Sequence, residues 1–92
     1  MRYAQIKAFH HVALLGGFSR AAEALSLTQP AISEQVRKLE QAHDTLLFHR
    51  DRCQVRLTEA GEALLRLTRP YFEAEAQITE HLSQSGAAVA GE

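Results

Sequence analysis

Three polar side chains recur at four-residue intervals in one stretch of the sequence: Gln29, Ser33 and Arg37. Residues four apart lie on one face of an α-helix, so an amide, a hydroxyl and a guanidinium would project together. Such groups can hydrogen-bond base edges in a DNA major groove. A solvated helix surface would carry the same residues, and the interpretation therefore depends on the surrounding elements.

A helix over residues 28–43 would present this polar face. Its opposite face is predicted by Ile32, Val36 and Leu39, which are apolar and spaced by four and three residues. Pro30 falls in the first turn, where its missing N–H removes no helical hydrogen bond. The predicted helix is therefore amphipathic.

A shorter helix, over about residues 20–25, precedes it. We expect Ser19 and Thr28 to be the N-caps of the two helices, because a hydroxyl accepts a hydrogen bond from a free N–H of the first turn. Leu27, between the helices, is predicted to be buried under the turn. Two short helices joined by a turn of about three residues make a helix-turn-helix, and the second helix begins with the residues that meet bases.

Two further elements complete the predicted domain. A helix over residues 2–15 ends at Gly16-Gly17, because glycine readily takes the left-handed conformation. Residues 46–50 and 54–57 are predicted to form a β-hairpin. Basic side chains on its arms and tip would suit phosphates or a minor groove, although an ordinary solvated hairpin also carries charge. These side chains are Arg50, Arg52 and Arg56.

A long fourth helix is predicted over residues 58–82, with Thr58 as its N-cap. Its apolar residues recur at steps of three and four, close to a heptad seam. About 25 residues span nearly 40 Å, which exceeds the core of a small domain. The part of the helix that extends past this core indicates pairing with the same helix of a second copy. The alternative is that the helix folds back on its own core. Pro70 should kink it. The seam residues are Ala60, Leu64, Leu67, Tyr71, Ala74, Ile78 and Leu82.

The charge is unevenly distributed along the 92 residues, whose formal net charge is −1. Residues 1–18 hold two basic groups and no acid, and residues 19–56 hold six basic groups against five acidic ones. Residues 57–92 hold two arginines against six glutamates. The first two thirds are therefore mildly basic, and phosphate affinity depends on the local field rather than on the total.

The whole chain is short enough for one small domain with a thin core. We expect it to divide into a domain over residues 1–57, a linker helix over 58–82 and a flexible tail of small residues over 83–92. Cys53 is the single cysteine, so no disulfide forms within the chain. No apolar run predicts a membrane span or a signal peptide. A reducing cytoplasm and no cofactor are the simplest expectations.

Several spaced motifs resemble a known family, the LysR-type transcriptional regulators, in the DNA-binding region. The resemblance covers residues 2 to about 82. It implies a mainly α fold, a winged helix-turn-helix followed by a long dimerising linker helix, in bacterial regulators that bind partly palindromic DNA and respond to small molecules. The motifs are Phe18-Ser19-Arg20-Ala21-Ala22-Glu23-Ala24-Leu25, Thr28-Gln29-Pro30-Ala31-Ile32-Ser33, Leu39-Glu40, Leu47-Phe48 with Arg50, and Val55-Arg56-Leu57-Thr58-Glu59-Ala60-Gly61.

The resemblance also assigns DNA contacts by position. The helix over residues 28–43 would lie in the major groove, with the wing over 50–56 at the minor groove. Ser19 and Thr28 would touch phosphates as well as cap helices. The full predicted set is Ser19, Arg20, Thr28, Gln29, Pro30, Ser33, Glu34, Arg37, Arg50, Arg52, Cys53, Arg56 and Thr58.

Three departures from the family pattern stand out. Glu34 replaces a residue that is usually basic; an acid can accept from cytosine N4 but repels phosphate, so the base preference there stays open. Cys53 replaces a frequent basic residue at the wing tip, where Arg52 is expected to take over the contact. His43-Asp44 replaces an apolar residue and a glycine, which is expected to loosen the helix end.

The family normally carries a larger effector-binding domain after this linker, so we expect an excised domain or a naturally short form. We expect no effector site in this chain, and tetramers only in a full-length protein.

A helical dimerisation module without DNA binding is the alternative, motivated by the net charge and Glu34. An enzyme is disfavoured, because no nucleophile, base and orienting group are paired and His10-His11 point to different helix faces. A redox switch at Cys53 is a further hypothesis, since basic neighbours can lower a thiol pKa.

Overall fold

Four helices make up the computed structural model, which describes residues 2–49 and 55–90, with side chains up to residue 84. They are α1 (Tyr3–Leu15), α2 (Phe18–Leu25), α3 (Gln29–Ala42) and α4 (Glu59–Ala90). The first three pack on one another, and α4 packs against α1. The predicted order of a three-helix core followed by a long helix is confirmed.

The core contains the apolar face of α3 that the sequence periodicity predicts, packed against α1. Phe9 and Val12 of α1 and Ile32 and Val36 of α3 are almost fully buried. The fifth large buried side chain, Phe48, lies beyond α3, and its ring centroid is 5.4 Å from that of Phe9. Burial of such side chains contributes about 1.5–3 kcal/mol each, so Phe48 ties the segment after α3 to the helical core.

Two expectations about the helix-turn-helix were wrong. Helix α2 begins at Phe18, with Gly17 as its N-cap, so Ser19 lies inside the helix and does not cap it. The Phe18 ring packs edge-on against Phe48 at 5.6 Å, and this burial favours an earlier helix start. Leu27 is 52% exposed rather than buried, since Ser26 before it takes a left-handed conformation (φ 57°) that carries the turn over the surface.

The end of α1 and the start of α3 agree with the prediction. Gly16 is left-handed (φ 75°) after α1, and its N–H donates to the carbonyl of Val12. Thr28 caps α3, because its Oγ1 accepts from the N–H of Ala31 at 3.2 Å. Asp44 is left-handed (φ 48°) two residues after α3, which ends at Ala42.

The predicted β-hairpin is reduced to a single antiparallel bridge between Phe48 and Leu57 in the described part of the chain. The N–H of His49 donates to the carbonyl of Arg56 at 2.8 Å, which supports the bridge. Two full strands were predicted there, and this was wrong for residues 46–49 and 55–57. The tip, residues 50–54, lies outside the described residues.

Helix α4 is longer than predicted. It continues through Pro70 and through the small residues after position 82, where the composition predicted a flexible tail. Alanine has the highest helix propensity and serine and glutamine tolerate a helix, so a helix that is already nucleated can propagate through this segment.

The start of α4 is fixed to the segment before the bridge. The Oγ1 of Thr58 donates to the carbonyl of Leu46 at 2.7 Å and accepts from the N–H of Gly61 at 3.0 Å. The N–H of Thr58 donates to the carbonyl of Leu47, also at 3.0 Å. Gly61 is buried here, and a Cβ on it would lie 2.1 Å from that same carbonyl oxygen.

Gly61→Ala should therefore destabilise the domain by about 1–3 kcal/mol, because the clash is with backbone and the start of α4 must move. Urea unfolding followed by circular dichroism measures the change. Gly17→Ala is the control for an added methyl group, since the nearest atoms to its Cβ are 3.9 Å away. Its loss should stay below about 1 kcal/mol, which is the cost of alanine at the N-cap of α2. Equal losses in the two variants would contradict the close approach at Gly61.

Candidate nucleic-acid interface

Helix α3 exposes the polar face that the sequence predicts. Gln29, Pro30 and Arg37 are exposed, and Ser33 and Glu34 are half-buried. The Nε2 of Gln29 donates to Ser33 Oγ at 3.2 Å. The amide and the hydroxyl are therefore held together one helical turn apart. This hydrogen bond restricts the rotamers of both side chains before any ligand binds.

Glu34 and Arg37 form the second pair on this face. The Nη2 of Arg37 donates to Glu34 Oε1 at 2.5 Å, and its Nε donates to Oε2 at 3.1 Å. This bidentate arrangement holds the pKa of Glu34 below its usual range, and the neighbouring charge of Lys38 acts in the same direction. The same pair raises the pKa of Arg37.

Helix α3 is attached to the bridge by a buried carboxylate that the sequence did not single out. The Oε2 of Glu40 accepts from the N–H of Leu47 at 2.7 Å and of Phe48 at 3.3 Å. Glu40 is only 4% exposed. These two hydrogen bonds hold Leu47 and Phe48 against α3, so the Glu40 side chain sets the path of the chain after the helix. Only its place at the end of the Leu39-Glu40 motif could have signalled this role.

The other predicted DNA contacts lie apart from α3 in the chain. Ser19 and Arg20 are exposed at the start of α2, where Arg20 Nη1 lies 3.4 Å from the carbonyl of Leu15. Arg56 is exposed beside the bridge, whereas both hydrogen bonds of Thr58 Oγ1 are made inside the domain. Arg50, Arg52 and Cys53 lie outside the described residues.

An aromatic junction sets the direction of α4 relative to α1. The His10 ring lies 4.4 Å from the Phe72 ring, and its Nδ1 is 2.9 Å from Thr68 Oγ1. Tyr3 packs on Phe72 at 6.0 Å and donates from its hydroxyl to Glu75. That hydrogen bond raises the pKa of Tyr3 to about 12.

Along this junction and beyond it, α4 presents an apolar face to solvent. Ala60 and Leu64 pack against the core of the same chain. The later seam residues do not: Leu67 is 69% exposed, Ile78 59% and Leu82 62%. Tyr71 and Ala74 are also exposed on this stretch.

Residues 2–49 and 55–90 contain no group of three or more histidine, cysteine, aspartate or glutamate side chains placed to hold a metal ion. Within the same part of the chain, no helix is both long and apolar enough to cross a membrane.

Sequence comparison identifies the class of protein that this geometry belongs to. Residues 3–62 match the family described as bacterial regulatory helix-turn-helix protein, lysR family, and the chain therefore belongs to that family. An uncharacterized HTH-type transcriptional regulator of Azotobacter vinelandii is 52% identical over 65 residues, which are 71% of this chain and 45% of that protein. A probable nitrogen assimilation transcriptional activator of Synechocystis is 42% identical over 83 residues, which are 90% of this chain and 26% of that protein.

Solved structures agree with the fold. The CbnR DNA-binding domain in complex with DNA superposes with a TM-score of 0.76 at 32% identity, over 95% of this chain and 99% of that one. Full-length OxyR C199D of Pseudomonas aeruginosa gives 0.79 at 34% identity, over 94% of this chain and 29% of that one. The chain thus spans less than half the length of the curated relatives named above.

Acid should loosen the α1–α4 junction. Burial lowers the pKa of His10 below 6.5, and the charges of His11 and Arg69 lower it further. Below that ordinary value the unfolded chain binds more protons than the folded one, so stability is lost as the pH falls. We expect the midpoint of thermal unfolding to drop between pH 7.5 and 5.5.

His10→Gln should reduce that drop, because glutamine can still hydrogen-bond Thr68 and does not titrate. His11→Gln is the matched control and should keep most of the pH dependence. Equal pH dependence in wild type and His10→Gln would contradict the assignment to His10.

Proposed function

We propose that this chain is the DNA-binding part of a bacterial transcriptional regulator and that it binds a partly palindromic operator as a dimer. Helix α3 lies in the major groove, where Gln29 and Ser33 contact base edges. The wing over residues 50–56 lies at the minor groove. The regulator works in the cytoplasm, where the bacterial chromosome is.

One observation carries the proposal: the polar face of α3 is exposed and pre-paired while its opposite face is buried. The N-terminal half of a recognition helix is the part that meets bases, and Gln29, Pro30 and Ser33 are there. The similarity to a DNA-binding domain solved on DNA supports the same assignment. Ser19, Arg20, Thr28 and Arg56 are proposed to contact phosphates around this face.

The dimer is proposed through the exposed part of the α4 seam. Leucines and an isoleucine at heptad-like spacing remain in contact with water over Leu67 to Leu82, and a contiguous exposed apolar face of this kind marks an interaction surface. A second copy of the same helix supplies a matching seam and the two-fold symmetry that a palindromic site requires. Ala60 and Leu64 contribute less, since they pack against their own core.

A helical module that dimerises without DNA is the second candidate, and Glu34 on the polar face favours it. Titration of duplex DNA at several salt concentrations separates the two. A DNA binder loses affinity steeply as salt rises, because phosphate contacts release counterions. A pure protein module shows no binding at low salt.

Gln29→Ala and Ser33→Ala should each weaken binding to operator DNA by roughly 1–3 kcal/mol and leave binding to unrelated DNA nearly unchanged. Fluorescence anisotropy on both duplexes gives the difference. Gln41→Ala, exposed at the far end of the same helix, should alter neither. Equal loss on both duplexes would reject base contacts by these two residues.

Leu67→Asp should convert the dimer to a monomer, because it places an unpaired charge in an apolar seam. Sedimentation velocity reports the oligomeric state. Leu27→Asp introduces the same charge at another exposed leucine and should leave the dimer intact. A dimer that survives Leu67→Asp would mean that the seam lies elsewhere.

A further inference from the structure

We propose that Glu34 and Arg37 act as one ion-paired unit that reads a C·G base pair, with Glu34 on the cytosine and Arg37 on the guanine. The inference rests on the proposed function, since it requires α3 in the major groove. It adds to the proposed function the identity of the base pair that one turn of α3 selects.

The unit is already assembled in the free protein. Both oxygens of Glu34 accept from Arg37, one from Nη2 and one from Nε. The two side chains are 43% and 51% exposed, so the pair stands at the surface rather than in the core. Its members are three residues apart, on the exposed side of α3 that also carries Pro30.

Pairing removes the main objection to an acid on this face. An unpaired carboxylate in a DNA groove is repelled by phosphates, whereas the Glu34–Arg37 pair has no net charge. Lys38 lies close enough to act on Glu34 electrostatically, and its charge keeps the net charge of these three side chains positive. The acid can therefore approach DNA without reversing the attraction of the surrounding face.

The paired geometry leaves hydrogen-bonding groups that match one base pair. Each carboxylate oxygen has a second lone pair, and the Nη1 of Arg37 is not used in the pair. In the major groove cytosine offers its N4 donor to the carboxylate, and guanine offers the O6 and N7 acceptors to the guanidinium. An A·T pair is the nearest competitor, but thymine offers one acceptor and a methyl group where guanine offers two acceptors.

Selection from a random duplex pool, followed by affinity measurements on single-base variants, tests base identity. For the wild-type chain we expect a C·G pair at one position of each half-site, and its replacement by A·T to weaken binding about fivefold or more. Glu34→Ala removes the cytosine contact and the partner that orients Arg37, so the same replacement should matter less than in the wild type. It should matter less than twofold when Arg37 is also replaced by alanine. Glu80→Ala removes the same charge from an exposed site on α4 and should keep the wild-type preference.

A double-mutant cycle tests whether the two residues act as a unit. Arg37→Ala should cost several times more affinity in the wild-type background than in Glu34→Ala, because it leaves the carboxylate unpaired among phosphates. The double variant should bind better than Arg37→Ala alone at low salt. Thermal midpoints close to wild type would show that all variants are folded, as expected for exposed side chains.

The outcomes separate this inference from the proposed function. Specific binding with a base preference unchanged by Glu34→Ala, or with additive effects of the two single variants, would overturn the paired unit and leave DNA binding in place. No binding of any duplex by wild type at low salt would overturn both.

Discussion

The arrangement of α3 and of the segment that follows it depends on the hydrogen bonds of one buried side chain, the carboxylate of Glu40. It is almost inaccessible to water, and it accepts the backbone N–H groups of Leu47 and Phe48. A carboxylate is costly to bury unless hydrogen bonds satisfy it, so it fixes the segment after α3 at one position. Phe48 is thereby directed into the core, where its ring meets Phe9 and Phe18. Through Phe48, the segment after α3 therefore also contacts the first turn of α2, which packs directly on α3 as well.

Helix α4 is joined to the same segment at its first turn and to α1 farther along. Thr58 and Gly61 hold its start against the backbone of residues 46–47, and Gly61 must be glycine because the helix approaches a carbonyl oxygen directly. His10 and Phe72 then set its direction. The exposed Ile78 and Leu82 lie farther along α4, beyond this contact with α1.

Much of the fold was predictable because it depends on local patterns. Helical periodicity placed the core face of α3, and the chemistry of Gly16 and Thr28 predicted the end of α1 and the start of α3. The start of α2 was predicted wrongly, since the packing of Phe18 on Phe48 outweighed the capping preference of Ser19. Leu27 and the length of α4 were also predicted wrongly, the first because exposure depends on the turn geometry and the second because a long helix propagates through small residues.

The sequence by itself determined the type of protein and the identity of the candidate site. The spaced motifs can be read directly from the sequence. So can the polar residues at positions 29, 33 and 37, since helical spacing alone brings these three to one face. Only the tertiary structure decided how those side chains are engaged. It showed that Gln29 is bonded to Ser33, that Glu34 is neutralised by Arg37, and that Glu40 binds backbone instead of facing solvent. Side-chain partners depend on rotamers and on chain segments distant in sequence, and no spacing rule specifies them.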